Sequence, residues 1–339
     1  MASNKQPQSF GSDFDHVIGL ISTAQDTVFK AVNRELVLLY WEVGRFVSDR
    51  VSSGDWGDGV VVQLADHIKA HYPNLKGFTK RGLYRMKQFY ETYHTIEKVS
   101  TLLTQLSWSN HLMILSKCKT IEEKQFYILL SAKDKLSKRE LLRQIESSVY
   151  ERTMLAETKV SPLVTQLQKK VSQVFKDTYV FEFLDLPVDY NEGDLQKQLL
   201  VNLKKFLLEL GSGFSFIGQE YRVQVGMHDY YIDLLFFHRE LQCLVAIELK
   251  TTEFQPEYLG KLNFYLEILD SEVKMPNENP SIGILLCKGK DTEVVEFALR
   301  RNISPTLIAD YETKLIDKKL LQQKLHDLYL LFDQKREEL

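Results

Sequence analysis

From about residue 14 to residue 152 the apolar positions recur at steps of three and four, which predicts a wholly helical first half. One helix carries Leu36, Leu39, Tyr40, Val43, Phe46 and Val47 on a broad face, with Asn33 as its cap. Thr120-x-x-Glu123 and Ser137-x-x-Glu140 have the capping-box pattern, in which a hydroxyl and a carboxylate satisfy two otherwise unpaired amides, and they mark two further helix starts. Pro162, Pro187 and the polar run 189–193 then break the period. They set a connecting segment at 156–190 between a helical domain at 14–155 and a second domain at 191–335. In the second domain an amphipathic helix through Leu195, Leu199, Leu203, Phe206 and Leu210 stops at Gly211. Strand-like runs follow at 214–225, 230–237 and 242–250, then a helix after Pro256, a buried strand at 282–287, a helix at 291–301 and a charged amphipathic helix at 315–335. The expected fold is an all-α N-terminal domain joined to an α/β domain with an αβββαβ core.

Composition narrows this picture. At about 150 residues per domain, 339 residues make two domains. With 44% hydrophobic and 26% charged residues, the chain can bury a core, which excludes long disorder and fibrous designs. The net charge is only −3, so any surface for nucleic acid must be local. One stretch qualifies: between Leu64 and Tyr90 lie Lys69, Lys76, Lys80, Arg81, Arg85 and Lys87 against the single acid Asp66. A helix up to about His71, a turn through Pro73 and Gly77, and a helix from Thr79 make a helix-turn-helix-like pair whose turn is longer than usual. Lys80, Arg81, Arg85 and Lys87 are the candidate phosphate contacts. Cys118, Cys243 and Cys287 are too scattered for a disulfide framework or zinc knuckle, and a reducing cytoplasm suits them. No apolar run approaches the ~18 residues of a membrane span, and the polar beginning does not read as a secretory leader. With no HExxH, Walker or GxGxxG pattern, zinc hydrolysis, nucleotide hydrolysis and dinucleotide chemistry lack support.

The residues that carry chemistry are those that interrupt apolar strands. Asp233 breaks the run Tyr230–Phe237, and Glu248 and Lys250 close the run that begins at Leu244. Burying such charges is costly unless they are paired or hold a metal. A spacing of two puts Glu248 and Lys250 on one strand face. If residues 238–241 form the turn, Phe237 opposes Gln242 and Asp233 opposes Ala246, which leaves Asp233 diagonal to Glu248. Diagonal neighbours lie roughly 7–8 Å apart, a span that two carboxylates can close around a hard divalent cation. Glu-x-Lys by itself is a common strand ending and forms rim ion pairs as readily as active sites. The succession of helix, Asp-bearing strand, Glu-x-Lys strand, helix and strand is a much rarer coincidence.

With that order, residues 192–310 resemble the PD-(D/E)xK nuclease superfamily, Asp233 matching its first acid and Glu248-x-Lys250 its second acid and lysine. The whole chain resembles the bacterial YhcG-type family, in which a helical domain precedes such a nuclease. The carrying stretches are Asn33-Arg-Glu-Leu36, Tyr40-Trp-Glu-Val-Gly44, Trp56-Gly57, Gly77-Phe-Thr79, Leu106-Ser-Trp-Ser109, Phe206–Gly211, Ile232–Phe237, Ile247–Lys250 and Gly260–Leu266. The resemblance implies a Mg2+- or Mn2+-dependent DNA nuclease, with Asp233 and Glu248 as metal ligands, Lys250 serving the attacking water, and a homo-oligomer as the working form. It also exposes a departure. The family's first nuclease helix commonly carries Glu where this chain has Gln196, so weaker cation binding or a silenced site follows from it, with Glu192 or Asp194 as substitutes. Related nucleases carry Gln-x-x-x-Tyr where this chain has Lys261 and Tyr265, which makes Lys261 a candidate phosphate contact and Tyr265 either a positioning hydroxyl or a packing residue. Lys288 and Lys290 are a further, weaker candidate for the nucleic-acid backbone. A nuclease-fold DNA-binding or adaptor protein and an RNA nuclease remain as alternatives.

Overall fold

The computed structural model describes residues 11–96, 101–156, 174–302 and 304–337. The first part of the expected connecting segment, 157–173, lies outside the described residues. The chain divides into two compact units between Leu142 and Arg143.

The first unit is helical, as its period predicts: α1 (Gly11–Ser52), α2 (Asp58–His71), α3 (Lys80–Tyr93), α4 (Trp108–Lys117), α5 (Ile121–Asp134) and the start of α6 (Lys138–Glu146). Asn33 does not cap a helix. It lies inside the 42-residue α1 and its amide donates to the carbonyls of Thr104 and Leu106 at 3.1 and 2.9 Å. The expected face of α1 is also narrower than its apolar content. Val37, Tyr40 and Val47 are buried, whereas Leu36, Leu39 and Phe46 stay exposed. The reason is a close helix crossing. Gly44 faces the main chain of α3 so tightly that a Cβ there would sit 2.1 Å from the Met86 carbonyl oxygen, and only residues on that line reach the contact. Around it, Tyr40, Phe78, Leu83, Met86 and Val61 form a core, with Trp108 against Tyr40 at 4.6 Å between ring centres. Thr79 caps α3 by accepting from the Gly82 amide at 3.2 Å. Ser137 and Glu140 exchange both capping bonds, while Glu123 reaches one residue further back, to the Lys119 amide. His111 is fully buried, donates from Nε2 to the Leu103 carbonyl, and is pulled down by burial to a pKa of about 4, so it is a neutral core residue.

The second unit holds the end of α6, α7 (Val149–Leu155), β1 (Thr178–Val180), α8 (Glu192–Val201), α9 (Leu203–Leu210), β2 (Phe214–Val225), β3 (His228–His238), β4 (Cys243–Leu249), α10 (Tyr258–Ile268), β5 (Asn279–Cys287), α11 (Thr292–Leu299), β6 (Thr306–Glu312) and α12 (Lys318–Glu337). Its sheet has the order β1-β6-β5-β4-β3-β2. β2, β3 and β4 pair antiparallel, and β4, β5, β6 and β1 pair parallel. Two strands escaped the sequence reading. β6 follows the last expected strand, and β1, only three residues long, lies in the segment expected to be a connector. The single helix expected through Leu195 and Leu210 is two, broken at Asn202.

Both sheet faces are covered. Leu195 and Leu199 of α8 and Phe206 and Leu210 of α9 pack on Leu234, Phe236, Val245, Ile247 and Leu286. Leu259, Leu262 and Leu266 of α10 pack with Val295 and Leu299 of α11 on Ile232, Leu235, Ala246, Leu285 and Ile308. A strand buried on both faces reads as a continuous apolar run, which is what β4 and β5 present.

One buried ion cluster ties the unit together. The Glu209 carboxylate, fully buried, accepts from Arg152 at 2.9 Å and the Val180 amide at 3.1 Å through Oε1, and from Arg143 at 3.1 Å through Oε2. Lys176 lies 3.3 Å from Oε1. Burial alone would raise this carboxyl, but the three cations outweigh it and hold the pKa down to about 2. A group depressed in the fold contributes stability that is fully present above its unfolded pKa and is lost as pH falls toward the folded one. Glu209→Gln, which leaves the buried Arg152 without a carboxylate partner and removes one of the two that hold Arg143, should therefore cost on the order of 3–5 kcal/mol at neutral pH in urea unfolding. The variant should also lack the wild type's loss of stability between about pH 4.5 and pH 2.

Candidate active site

Asp233 and Glu248 are brought together by strand register, though not the register expected. The pairs run from His238↔Cys243 to Leu234↔Ile247, which continued by one residue sets Asp233 directly opposite Glu248 rather than diagonal to it. The physical reason is the turn. Residues 239–242 form it, with Gln242 at φ 50° and the Leu241 amide donating to His238 Nδ1, so the turn starts one residue later than expected. A two-residue slip keeps the faces, because side chains alternate with a period of two. On the other side of β3 the pairing passes from Gln219↔Leu234 to Tyr221↔Ile232, and Glu220 between them sits at φ 42° beside the Asp233 position.

Asp233 accepts from the Leu249 amide at 2.8 Å through Oδ2. Burial first, and the neighbouring Glu248 second, push its carboxyl up to about 6. Glu248 is 1% exposed. Its Oε1 takes two ammonium groups, Lys261 at 2.6 Å and Lys250 at 3.0 Å, while its Oε2 is buried without a hydrogen-bond partner. Lys250 also donates to Glu192 at 3.1 Å and to the Leu249 carbonyl at 3.0 Å. Burial works to lower the Lys250 pKa, but the Glu248 and Glu192 carboxylates more than offset it and hold it above the usual lysine value. The same contest at Lys261, resolved by Glu248, lifts it to about 12. Both side chains are therefore cations at neutral pH.

The other expected residues divide by the company they keep. Gln196 on α8 stands beside the site, where its amide nitrogen donates at 2.8 Å to the Asp233 main-chain carbonyl, a bond that a carboxylate at the same position lacks the proton to make. Asp194 is committed to the capping box with Asn191 and leaves the site to Glu192. Tyr265 is buried and gives its hydroxyl to the Tyr231 carbonyl at 2.7 Å, with the Lys261 ammonium over its ring at 5.4 Å. Lys290 turns inward to Asp177 and the Ile308 carbonyl, whereas Lys288 lies over the Tyr190 ring at 5.4 Å. Lys80, Arg81, Arg85 and Lys87 belong to α3 of the first unit. Arg81 is exposed, Arg85 is half-buried, and Lys87 pairs with Glu91 at 2.7 Å.

Sequence reasoning missed an aromatic wall. Tyr311 on β6 donates to the Lys250 carbonyl at 3.2 Å, Tyr190 meets the Tyr311 hydroxyl at 3.4 Å, and the Lys250 ammonium lies 5.4 Å from the centre of the Tyr258 ring. Only the spacing of Tyr258 from Lys250 was available in sequence, and it carries no signal alone.

Among the described residues no group of three or more His, Cys, Asp and Glu side chains gathers to hold a metal ion. The donor set here is instead two facing carboxylates with main-chain oxygens nearby, the hard-oxygen chemistry suited to Mg2+ or Mn2+. The unpartnered, buried Oε2 of Glu248 fits such a ligand, since a buried carboxylate oxygen without a donor is otherwise a net cost.

Comparison with known proteins adds the following. Residues 172–326 match the YhcG PDDEXK nuclease domain, and residues 16–152 match the DUF1016 N-terminal domain. The protein named "Putative nuclease YhcG" from Escherichia coli (strain K12) is 28% identical over 348 residues, covering 92% of each chain. Two solved structures are similar over about half of their own chains. An EndoMS-dsDNA2 complex is 19% identical with a TM-score of 0.25, over 36% of this chain and 47% of that one. A repair endonuclease from Pyrococcus abyssi is 18% identical with a TM-score of 0.26, over 37% and 50%.

Because Glu248 is the second cause of the raised Asp233 pKa, Glu248→Gln should bring the Asp233 carboxyl back toward the ordinary aspartate range. A carbon-13 NMR titration reads this directly, and an unmoved Asp233 would mean that the two groups do not share a field.

Proposed function

The chain belongs to the family that joins a DUF1016 N-terminal domain to a YhcG PDDEXK nuclease domain, and from that premise we propose that it is a cytoplasmic, Mg2+- or Mn2+-dependent deoxyribonuclease. The observation that carries this reading is the convergence of Asp233, Glu248 and Lys250 at the carboxyl end of β4, with one Glu248 oxygen left for a ligand. Asp233 and Glu248 would hold the ion. When bound, it supplies a Lewis acid that polarises the scissile phosphate and makes a water more acidic. Lys250, kept protonated by two carboxylates, acts as a fixed positive charge that stabilises the attacking hydroxide and the charge developing on phosphate. Glu192 orients that ammonium from α8. Lys261, nearly half exposed and already at Glu248, is the side chain best set to meet a DNA phosphate. Tyr265 fixes the helix that carries it.

In the first unit α2, an eight-residue turn and α3 form a helix pair that supports non-specific DNA binding through Lys80, Arg81 and Arg85. A homo-oligomer would give the two cuts that a duplex needs. The competing reading, an adaptor with a silent site, draws on Gln196; against it, Gln196 is fitted to the Asp233 carbonyl and Glu192 supplies the helix acid.

Wild type should cleave plasmid, linear or branched DNA with Mg2+ or Mn2+ and stop on chelation. Asp233→Ala and Lys250→Ala should each lose at least about 10²-fold in rate, by the scale of removing one transition-state stabiliser. Cleavage that persists in both variants rules the site out. Gln196→Glu should not raise the rate; a large gain would mark an attenuated enzyme, and faster cutting of RNA in parallel reactions would mark a ribonuclease. For the helix pair, replacing Lys80, Arg81 and Arg85 with Ala should weaken DNA binding equally across sequences and flatten the slope of log affinity against log salt by about 2–3. An unchanged slope assigns DNA contact elsewhere.

A further inference from the structure

Two ammonium groups share Glu248 Oε1, and the structure holds them unequally. Lys250 is 12% exposed and spends its protons on three acceptors, Glu192 at 3.1 Å and Glu248 and the Leu249 carbonyl each at 3.0 Å. Lys261 is 47% exposed and reaches the same Glu248 oxygen at 2.6 Å, with the centre of the Tyr265 ring 5.4 Å away. Its charge also acts on Asp233. The main chain around Lys261 is fixed, because Leu262 and Leu266 lie in the core and Tyr265 is tied to the Tyr231 carbonyl. Its side chain can move: lysine carries a compact charge on a flexible four-carbon stem. Lys261 is thus a cation that already sits at the acid pair and can still swing into water.

We propose that Lys261 is the exchangeable counter-ion of Asp233 and Glu248: it competes with the divalent ion for these acids and is drawn off them by a DNA phosphate, so that ion and substrate bind cooperatively. The inference rests on the nuclease reading of the site. Charge carries it. Asp233, Glu248 and Glu192 bring three negative charges to the cluster, and Lys250 and Lys261 bring two positive ones. A divalent ion taken up by Asp233 and the open Glu248 Oε2 would leave one carboxylate carrying that ion and two ammonium groups together. At an effective dielectric near 20, repulsion between like charges is roughly four times its strength in bulk water, and it expels the cation held least. That cation is Lys261, since Lys250 keeps Glu192 and the Leu249 carbonyl. An ammonium leaving a carboxylate needs another anion, and a phosphodiester supplies one negative charge; with the ion and one phosphate present, the charges of the cluster cancel. The coupling is reciprocal, so whatever DNA does for ion affinity the ion does for DNA affinity. A permanently paired Lys261 would weaken ion binding with or without DNA, whereas an exchangeable one does so chiefly without it.

The test is calorimetric titration of Mn2+ into the full chain at one fixed pH, with circular dichroism in chelator as the check that each variant is folded. Lys261→Met and Lys261→Gln should each bind Mn2+ at least about tenfold more tightly than wild type, and Lys261→Arg, which keeps the charge, should not. Asp233→Ala should abolish the binding in every background. A short DNA duplex with phosphorothioate linkages, which resists cleavage, should tighten Mn2+ binding to wild type by a larger factor than to Lys261→Met, so that the gap between the two narrows. Equal Mn2+ affinity in wild type and the two neutral variants, an Arg variant that binds as tightly as the Met variant, or a gap that the duplex leaves unchanged overturns the inference and leaves the nuclease reading standing. Mn2+ binding that is missing from every variant with and without the duplex, or that survives Asp233→Ala, overturns both.

Discussion

Glu248 is the next-to-last residue of a strand in which every other residue is apolar and buried, and a carboxylate in that setting must be compensated. Two ammonium groups converge on one of its oxygens, and they come from different elements: Lys250 from just beyond the strand and Lys261 from α10. Asp233 adds a second carboxylate across the strand pair, and burial first, with Glu248 second, raises its pKa. Much of the local architecture serves this balance. Gln196 holds the Asp233 carbonyl, Glu192 steadies Lys250, and Tyr311 fixes the main chain at Lys250.

Another buried glutamate of the unit, Glu209, provides a contrast that separates structure from chemistry. Glu209 has both oxygens satisfied, by Arg152 and the Val180 amide on one and Arg143 on the other, with Lys176 close by. Such a closed network leaves nothing for a ligand. Glu248 has comparable burial and comparable cationic company, yet its second oxygen is orphaned. A buried acid with an excess of positive charge is therefore not evidence of a site; an acid with unspent acceptor capacity next to another acid is.

The α/β order, the helical first half and the pairing of Asp233 with Glu248 and Lys250 were legible because periodicity and interrupted apolar runs are local signals. The register itself was not. Turn length depended on Gln242 adopting a left-handed backbone and on His238 accepting from Leu241, neither of which is encoded in hydrophobicity. The faces were still read correctly, since a slip of two residues preserves them. β1 escaped because three residues carry too little pattern, and its parallel partner β6 is distant in sequence. Asn33 read as a cap because asparagine suits that role, but tertiary contacts to the Thr104 and Leu106 carbonyls keep it inside a longer helix. Glu192, the most useful acid on α8, was one of two candidates, and only the engagement of Asp194 in capping Asn191 separates them.

Lys250 receives one carboxylate from a helix on one face of the sheet, through Glu192, and shares another with Lys261 from a helix on the opposite face. The charged cluster therefore acts as a rivet through the sandwich. A mutation that loosens either outer layer, however far from the cleft, shifts one jaw of a clamp whose other jaw is fixed. Packing of the outer helices and the geometry of the candidate site are thus mechanically coupled in this domain, and drift in those helices is constrained even where they lie far from the charged cluster.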